Sequence, residues 1–238
     1  RSRGLGDVYK RQDDRGAVWV GHFQAGLDYS LYQNGLFRTY AYPPSFHSAN
    51  LSIRSFISRG QEKVIGSRDG LFYINEATGT VKSFVKPVLT SDLILTICFY
   101  EGEYYIGTYG GGMMVLNPET LSLKYFAQGG DGDAELFQKG HIFCVKPDTK
   151  GNLWIGTSQG LFSYNGQSKQ IKHFTSANSQ LPEGNVYEVS FDSTGKGWIA
   201  TETGMCIYDP ASQSLRSNVF PEGFVNKDKV RTIYEDSE

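Results

Sequence analysis

Short stretches in which apolar and polar residues take turns recur along the chain: HIFCVKPD from His141, NVYEVSFD from Asn185 and VRTIYED from Val230. A two-residue period rich in β-branched and aromatic types predicts half-buried strands. Around these stretches a longer pattern repeats. The tripeptides WVG at Trp19, VIG at Val64, YIG at Tyr105, WIG at Trp154 and WIA at Trp198 lie 45, 41, 49 and 44 residues apart. Each is followed by a polar turn, a glycine and an apolar strand (AGLDYSLY, DGLFYIN, GGMMVLN, QGLFSYN, TGMCIYD). A second aromatic-rich stretch closes the unit: GLFRTY, TVKSFV, SLKYFA, QIKHFT and a weaker SLRSNV. One unit thus reads as four short antiparallel strands, A to D. Helix has one opening, DAELFQK at 133–139, between two units.

Four-stranded units of this length predict an all-β chain of β-propeller blades. A β-helix has a shorter period, and a sandwich does not repeat its sequence. The blade-equivalents fall at 13–50, 51–92, 93–140, 141–184 and 185–228, with strand A of a further blade at 229–236. Residues 1–12 (RSRGLGDVYKRQ) have no initiator Met and none of the pattern, so they are read as a non-native scar outside the fold. The first blade is then expected to lack strand A, and the five blades to be a piece of a larger, seven-bladed ring. Three units carry the frame D-x-x-G-x-x-W: Asp13, Gly16 and Trp19; Asp148, Gly151 and Trp154; Asp192, Gly195 and Trp198. Here Asp bonds its own turn, Gly supplies a positive φ, and Trp (Tyr105 in the third unit) provides a ring to bury between sheets.

Composition narrows the function. Of 238 residues, 23 are basic and 25 acidic, which argues against a nucleic-acid surface. Aromatics at 14% argue against disorder. Cys98, Cys144 and Cys206 are too few and too scattered for a disulfide scaffold or a zinc site; Cys98 and Cys144 lie in apolar runs and read as buried free thiols. The longest apolar run, Leu93 to Tyr100, is far too short to span a bilayer. His22, His47, His141 and His173 lack metal-ligand spacing, and no cofactor motif is present. Asp131 to Glu135 (DGDAE) lacks the other ligands of a calcium loop.

The segment DTKGNLWIGTSQGLFSY, from Asp148 to Tyr164, resembles the two-component regulator propeller repeat. The likeness is strong in the fourth unit, good in the first and fifth, and degenerate in the second (RGQEKVIG) and third (EGEYYIG). It implies the periplasmic sensor region of a Bacteroidetes hybrid two-component system. In such proteins the propeller detects carbohydrate fragments and signals across the membrane to a histidine kinase. It also implies a homodimeric parent whose membrane segment lies downstream, and no catalysis in this region.

Strand topology places the B–C turns and D–A loops on one face and the D-x-x-G turns on the other. The variable slots of the B–C turns are Phe23, Arg68, Tyr109, Ser158 and Glu202, with His22 adjacent. A ring, a guanidinium and a carboxylate converging there suit a polar ligand, a small molecule or oligosaccharide. The alternative is ordinary exposed turn residues. Two D–A loops, Tyr40 to His47 and Gln128 to Gly140, are either binding elements or linkers. GTSQG around Ser158 mimics a nucleophile elbow but sits in a hairpin turn. A propeller glycosidase or lyase needs a clean pair of carboxylates, which is not evident. A protein-interaction scaffold is the other alternative.

Overall fold

The computed structural model describes residues 8–12, 18–22, 26–30, 37–39, 52–126, 131–217 and 229–234. Among them run twenty strands and one helix, and the strands form five four-stranded sheets, each meandering in chain order. The first holds β1 (Val8–Gln12), β2 (Val18–His22), β3 (Gly26–Ser30) and β4 (Phe37–Thr39). The second holds β5 (Ile53–Arg59), β6 (Glu62–Ser67), β7 (Leu71–Asn75) and β8 (Thr80–Phe84). The third holds β9 (Ile94–Tyr100), β10 (Glu103–Thr108), β11 (Met113–Leu116) and β12 (Leu123–Tyr125). After α1 (Asp131–Lys139), the fourth holds β13 (Ile142–Pro147), β14 (Asn152–Thr157), β15 (Gly160–Asn165) and β16 (Ile171–Phe174). The fifth holds β17 (Val186–Phe191), β18 (Gly197–Thr201), β19 (Gly204–Asp209) and β20 (Ser214–Ser217). These are the blades of a β-propeller, four strands per repeat as the sequence predicts. The chain divides into two compact units, residues 1–97 and 98–238.

Both ends depart from expectation. Residues 1–12, set aside on sequence grounds, contain β1, which pairs with β2 from Val8 opposite His22 to Gln12 opposite Val18. It fills the strand-A position expected to be missing, because a ladder is made by backbone groups that almost any short segment can offer to an open edge. Residues 229–234, expected as strand A, form no strand. Their backbone is tied instead by Val230 N–H to the Thr201 carbonyl and by Ile233 N–H to the Glu188 carboxylate, both at 3.0 Å. Asp13 and Gly16 lie outside the described residues.

The D-x-x-G-x-x-W frame is a clamp. Gly151 and Gly195 take φ of +78° and +80°. One oxygen of Asp148 accepts the N–H groups of Lys150 and Asn152; the other accepts the Trp154 indole N–H at 2.9 Å. Asp192 repeats this with Thr194, Lys196 and, at 2.9 Å, Trp198. The carboxylate therefore orients the ring six residues on as well as closing its own turn. Trp154 is 1% exposed, its centroid 4.5 Å from Tyr208 and 5.9 Å from Phe191 of the fifth blade. In the first unit Trp19 meets Phe56 of the second blade at 5.8 Å. The rings do lie between sheets.

The degenerate blades replace the clamp with a shorter turn. β5 and β6 are joined by Gly60-Gln61, and β9 and β10 by Glu101-Gly102, whose φ of +46° and +84° suit a type I′ hairpin. A two-residue turn has no place for the Asp or its indole partner. Tyr100 compensates within the second unit: its hydroxyl donates to the Gly151 carbonyl at 2.7 Å and accepts from Gly166 N–H at 2.9 Å.

The glycine of the W-I-G tripeptide is a close-approach position. A Cβ on Gly156 would lie 2.5 Å from Cys144 Sγ and 2.8 Å from the Val186 carbonyl of the next blade. Helix α1 covers the third and fourth blades with buried Leu136 and Phe137, so that part of the 128–140 loop belongs to the core. Asp133 and Glu135, two apart on the helix, do not share a face, and Asp133 meets the His173 ring at 3.3 Å. The three cysteines are free and buried, and burial pushes the Cys144 and Cys206 thiols up to about 12.

Candidate functional site

The B–C turns are built by a hydroxyl that the sequence reading passed over. Thr157 Oγ1 donates to the Gly160 carbonyl at 2.9 Å and accepts Gln159 N–H at 3.0 Å. Ser67, Thr108 and Thr201 bond the carbonyls of Gly70, Gly112 and Gly204 in the same way. All four hydroxyl residues are buried. Each staple holds the next residue, the variable slot, at the turn's crest.

The slot is tied in turn to the head of its own blade's A strand. Arg68 N–H donates to the Ser52 carbonyl, Ser158 N–H to His141 and Glu202 N–H to Asn185, at 3.0, 3.2 and 2.9 Å. One residue further on, the A strand bulges. The ladder slips between Ile53 and Ser55, between Ile142 and Cys144, and between Val186 and Glu188. The residue at each slip (Arg54, Phe143, Tyr187) drops out of pairing and is partly exposed, the re-aiming that a bulge performs beside sites. Slot, pre-strand residue and bulge residue are thus brought together blade by blade.

In the second unit these groups make a continuous strip. Tyr109, half exposed, lies over the His141 ring at 4.0 Å between centroids. His141 is 6.2 Å from Phe143, and Phe143 is 5.2 Å from Tyr187, edge to face. The Lys229 ammonium and the Arg231 guanidinium lie 5.1 and 4.7 Å from the Tyr187 centroid. His141 Nδ1 is buried without a hydrogen-bond partner among the described residues. Glu202 ends the strip, accepting from Asn185 N–H at 3.4 Å, the Tyr187 hydroxyl at 3.3 Å and Lys229 Nζ at 3.3 Å. The Asn185 N–H foremost, then Lys229, holds its carboxyl below the usual range.

Of the expected site residues, Tyr109 and Glu202 thus belong to one strip, and Ser158 is tied to it through its backbone N–H to the His141 carbonyl. Arg68 is exposed on the equivalent turn of the first unit. His22 closes β2, and Phe23 and the loop at 40–47 lie outside the described residues. Ser158 sits in a β-hairpin turn with no helix after it, so the nucleophile-elbow reading has no structural support. His141, Phe143 and Tyr187 were missed. The signal was the exposed-phase aromatic one place after each buried Ile142 or Val186, hidden because a bulge shifts the face on which alternation places it.

Residues 137–159 match the family model described as two component regulator propeller, which takes in most of the frame from which the resemblance was read. No curated protein matches the chain. Among solved structures it is similar to the extracellular domain of the hybrid two component system BT3049 from B. thetaiotaomicron. There the TM-score is 0.72 at 25% identity, over 97% of this chain and 30% of that one. It is also similar to the extracellular domain of BT4673 from B. thetaiotaomicron, with TM-score 0.67 and 17% identity over 99% of this chain and 37% of that one. PorZ, a surface component of the type-IX secretion system of Porphyromonas gingivalis, gives 0.62 and 15% over 90% and 34%. The last two speak to the fold alone. The chain spans about a third of the length of these neighbours.

Proposed function

We propose that this chain, with its two-component regulator propeller repeat, is part of the periplasmic ligand-sensing region of a hybrid two-component sensor. Its ligand is a carbohydrate fragment, and the parent is a homodimer that relays occupancy across the membrane to a kinase. The observation that carries this reading is the strip Tyr109, His141, Phe143 and Tyr187, four rings in sequence on the turn-bearing edge of adjacent blades. Rings support the apolar C–H faces of a sugar, while flanking polar groups meet its hydroxyls. The likeness to the extracellular domain of BT3049 supports the placement.

Binding without turnover suits the chemistry. Glu202 is kept ionised by its hydrogen bonds, which makes it an acceptor at neutral pH and a poor proton donor. The propeller glycosidase needs one carboxyl held protonated beside another ionised one. A glycan array probed with the full chain tests the reading, followed by calorimetry on the best-bound saccharide. Tyr187→Ala is expected to weaken binding roughly 10-fold or more, as loss of a stacked ring does. Release of reducing ends would overturn the sensor reading, and affinity unchanged by Tyr187→Ala would remove the strip from it.

A further inference from the structure

Resting on that reading, we propose that the bulge residues Phe143 and Tyr187 of β13 and β17, with Arg231 at the equivalent position of the next repeat, read the ligand. Phe143, Tyr187 and Arg231 then together select a saccharide that carries a carboxylate.

The row is defined by geometry and extended by the repeat. Phe143 and Tyr187 occupy the slip between Ile142 and Cys144 and between Val186 and Glu188. From Ile142 to Val186 is 44 residues, and from Val186 to Val230 is 44 again, which puts Arg231 at the same place in its unit. The structure sets it beside its counterpart, its guanidinium over the face of Tyr187 at 4.7 Å. The three readers are therefore neighbours in one line, ring, ring and guanidinium, at the end of the blades where the B–C turns lie.

Charge accounting decides what the line prefers. Lys229 is paired with Glu202 at 3.3 Å, and the Glu188 carboxylate accepts the Ile233 N–H at 3.0 Å. Among the described residues no carboxylate pairs with Arg231, which is exposed. Among the described residues Arg231 is thus the cation of the strip without an ion-pair partner, and the ring beneath it holds it in place. Its N–H donors form a planar fork that matches the two oxygens of a carboxylate. A sugar ring seated on Phe143 and Tyr187 would bring an acidic substituent to that fork. The same accounting gives Glu202 a second part, that of occupying Lys229 so that a single anion site is left.

Calorimetry with the full chain would compare two sets of probes at fixed ionic strength. The acidic set is pectate-, alginate- and hyaluronan-derived oligosaccharides; the neutral set is galactan-, cello- and malto-oligosaccharides. The tightest acidic probe is expected to bind at least 10-fold more tightly than the tightest neutral one, with the gap narrowing as salt rises. Arg231→Gln, at an exposed position, should erase that gap by weakening acidic binding about 10-fold. Glu202→Gln should free Lys229 and tighten acidic binding several-fold. Sulfated galactans without uronate should bind more weakly than uronates; equal binding would overturn the carboxylate assignment. Equal affinity for acidic and neutral sets, or a preference that survives Arg231→Gln, would overturn the inference and leave the glycan reading standing. Binding of neither set would overturn that reading itself.

Discussion

Replacing Trp154 separates what its ring contributes from what its N–H contributes. The side chain is 1% exposed and wedged against Phe174, Phe191 and Tyr208. A buried Trp removes on the order of 200 Å² from water, worth roughly 5 kcal/mol at ~25 cal/mol per Å². Core Trp→Ala substitutions cost ~3–5 kcal/mol, since the site collapses in part. Trp154→Ala should fall at the upper end, because Asp148 also loses a donor. Trp154→Phe keeps most of the ring and drops only the N–H to a charged acceptor, for about 1.5–3 kcal/mol. Trp198 supplies the internal comparison: it makes the same 2.9 Å bond to Asp192 but is only partly buried. Trp198→Ala should therefore cost about half as much as Trp154→Ala, while the two Phe variants should cost nearly the same. Urea unfolding followed by circular dichroism measures all four, with m held constant as the check on two-state behaviour. Equal costs for the two Ala variants, or a cost below about 1 kcal/mol at Trp154, would refute the idea that the ring wedges blades apart.

The clamp should also titrate. Burial alone would push the Asp192 carboxyl up, but the bonds from Thr194, Trp198 and Lys196 outweigh it and hold it below the ordinary carboxylate value. Its contribution is therefore present above the unfolded value of about 3.9 and is lost as pH falls through the lower folded one. Melting temperature between about pH 5 and pH 2 should fall more steeply for the wild type than for Asp192→Asn; parallel curves would contradict this. At the W-I-G glycine, Gly156→Ala forces a methyl against Cys144 Sγ and the Val186 carbonyl and should cost ~1–3 kcal/mol in urea unfolding. At the equivalent place in the fifth blade Ala200 is native and fully buried, so Ala200→Gly should cost about 0.5–1 kcal/mol by chain entropy, with no relief of overlap.

How much could be read in advance follows from the range of each interaction. Period, strand count and turn positions were legible because each depends on residues within one unit: alternation picks the strand, Asp and Gly close the turn, and the aromatic marks the ring to be buried. The hydroxyl staple of Thr157 was legible in principle, since Gly160 is its partner only three residues away. The crest positions of Tyr109, Ser158 and Glu202 were legible, because a B–C turn is local. Phe143 and Tyr187 were not.

The sequence by itself thus determined that this protein is a row of four-stranded blades, since every step in that inference spans fewer than fifty residues of chain. The tertiary structure alone decided that Asp148 grips the indole of Trp154, that β1 completes the first blade, and that Phe143 and Tyr187 meet across the fourth and fifth blades. The physical reason is pairing. A one-residue slip is a relation between two strands, and it turns a side chain to the other face without changing a letter of the local pattern.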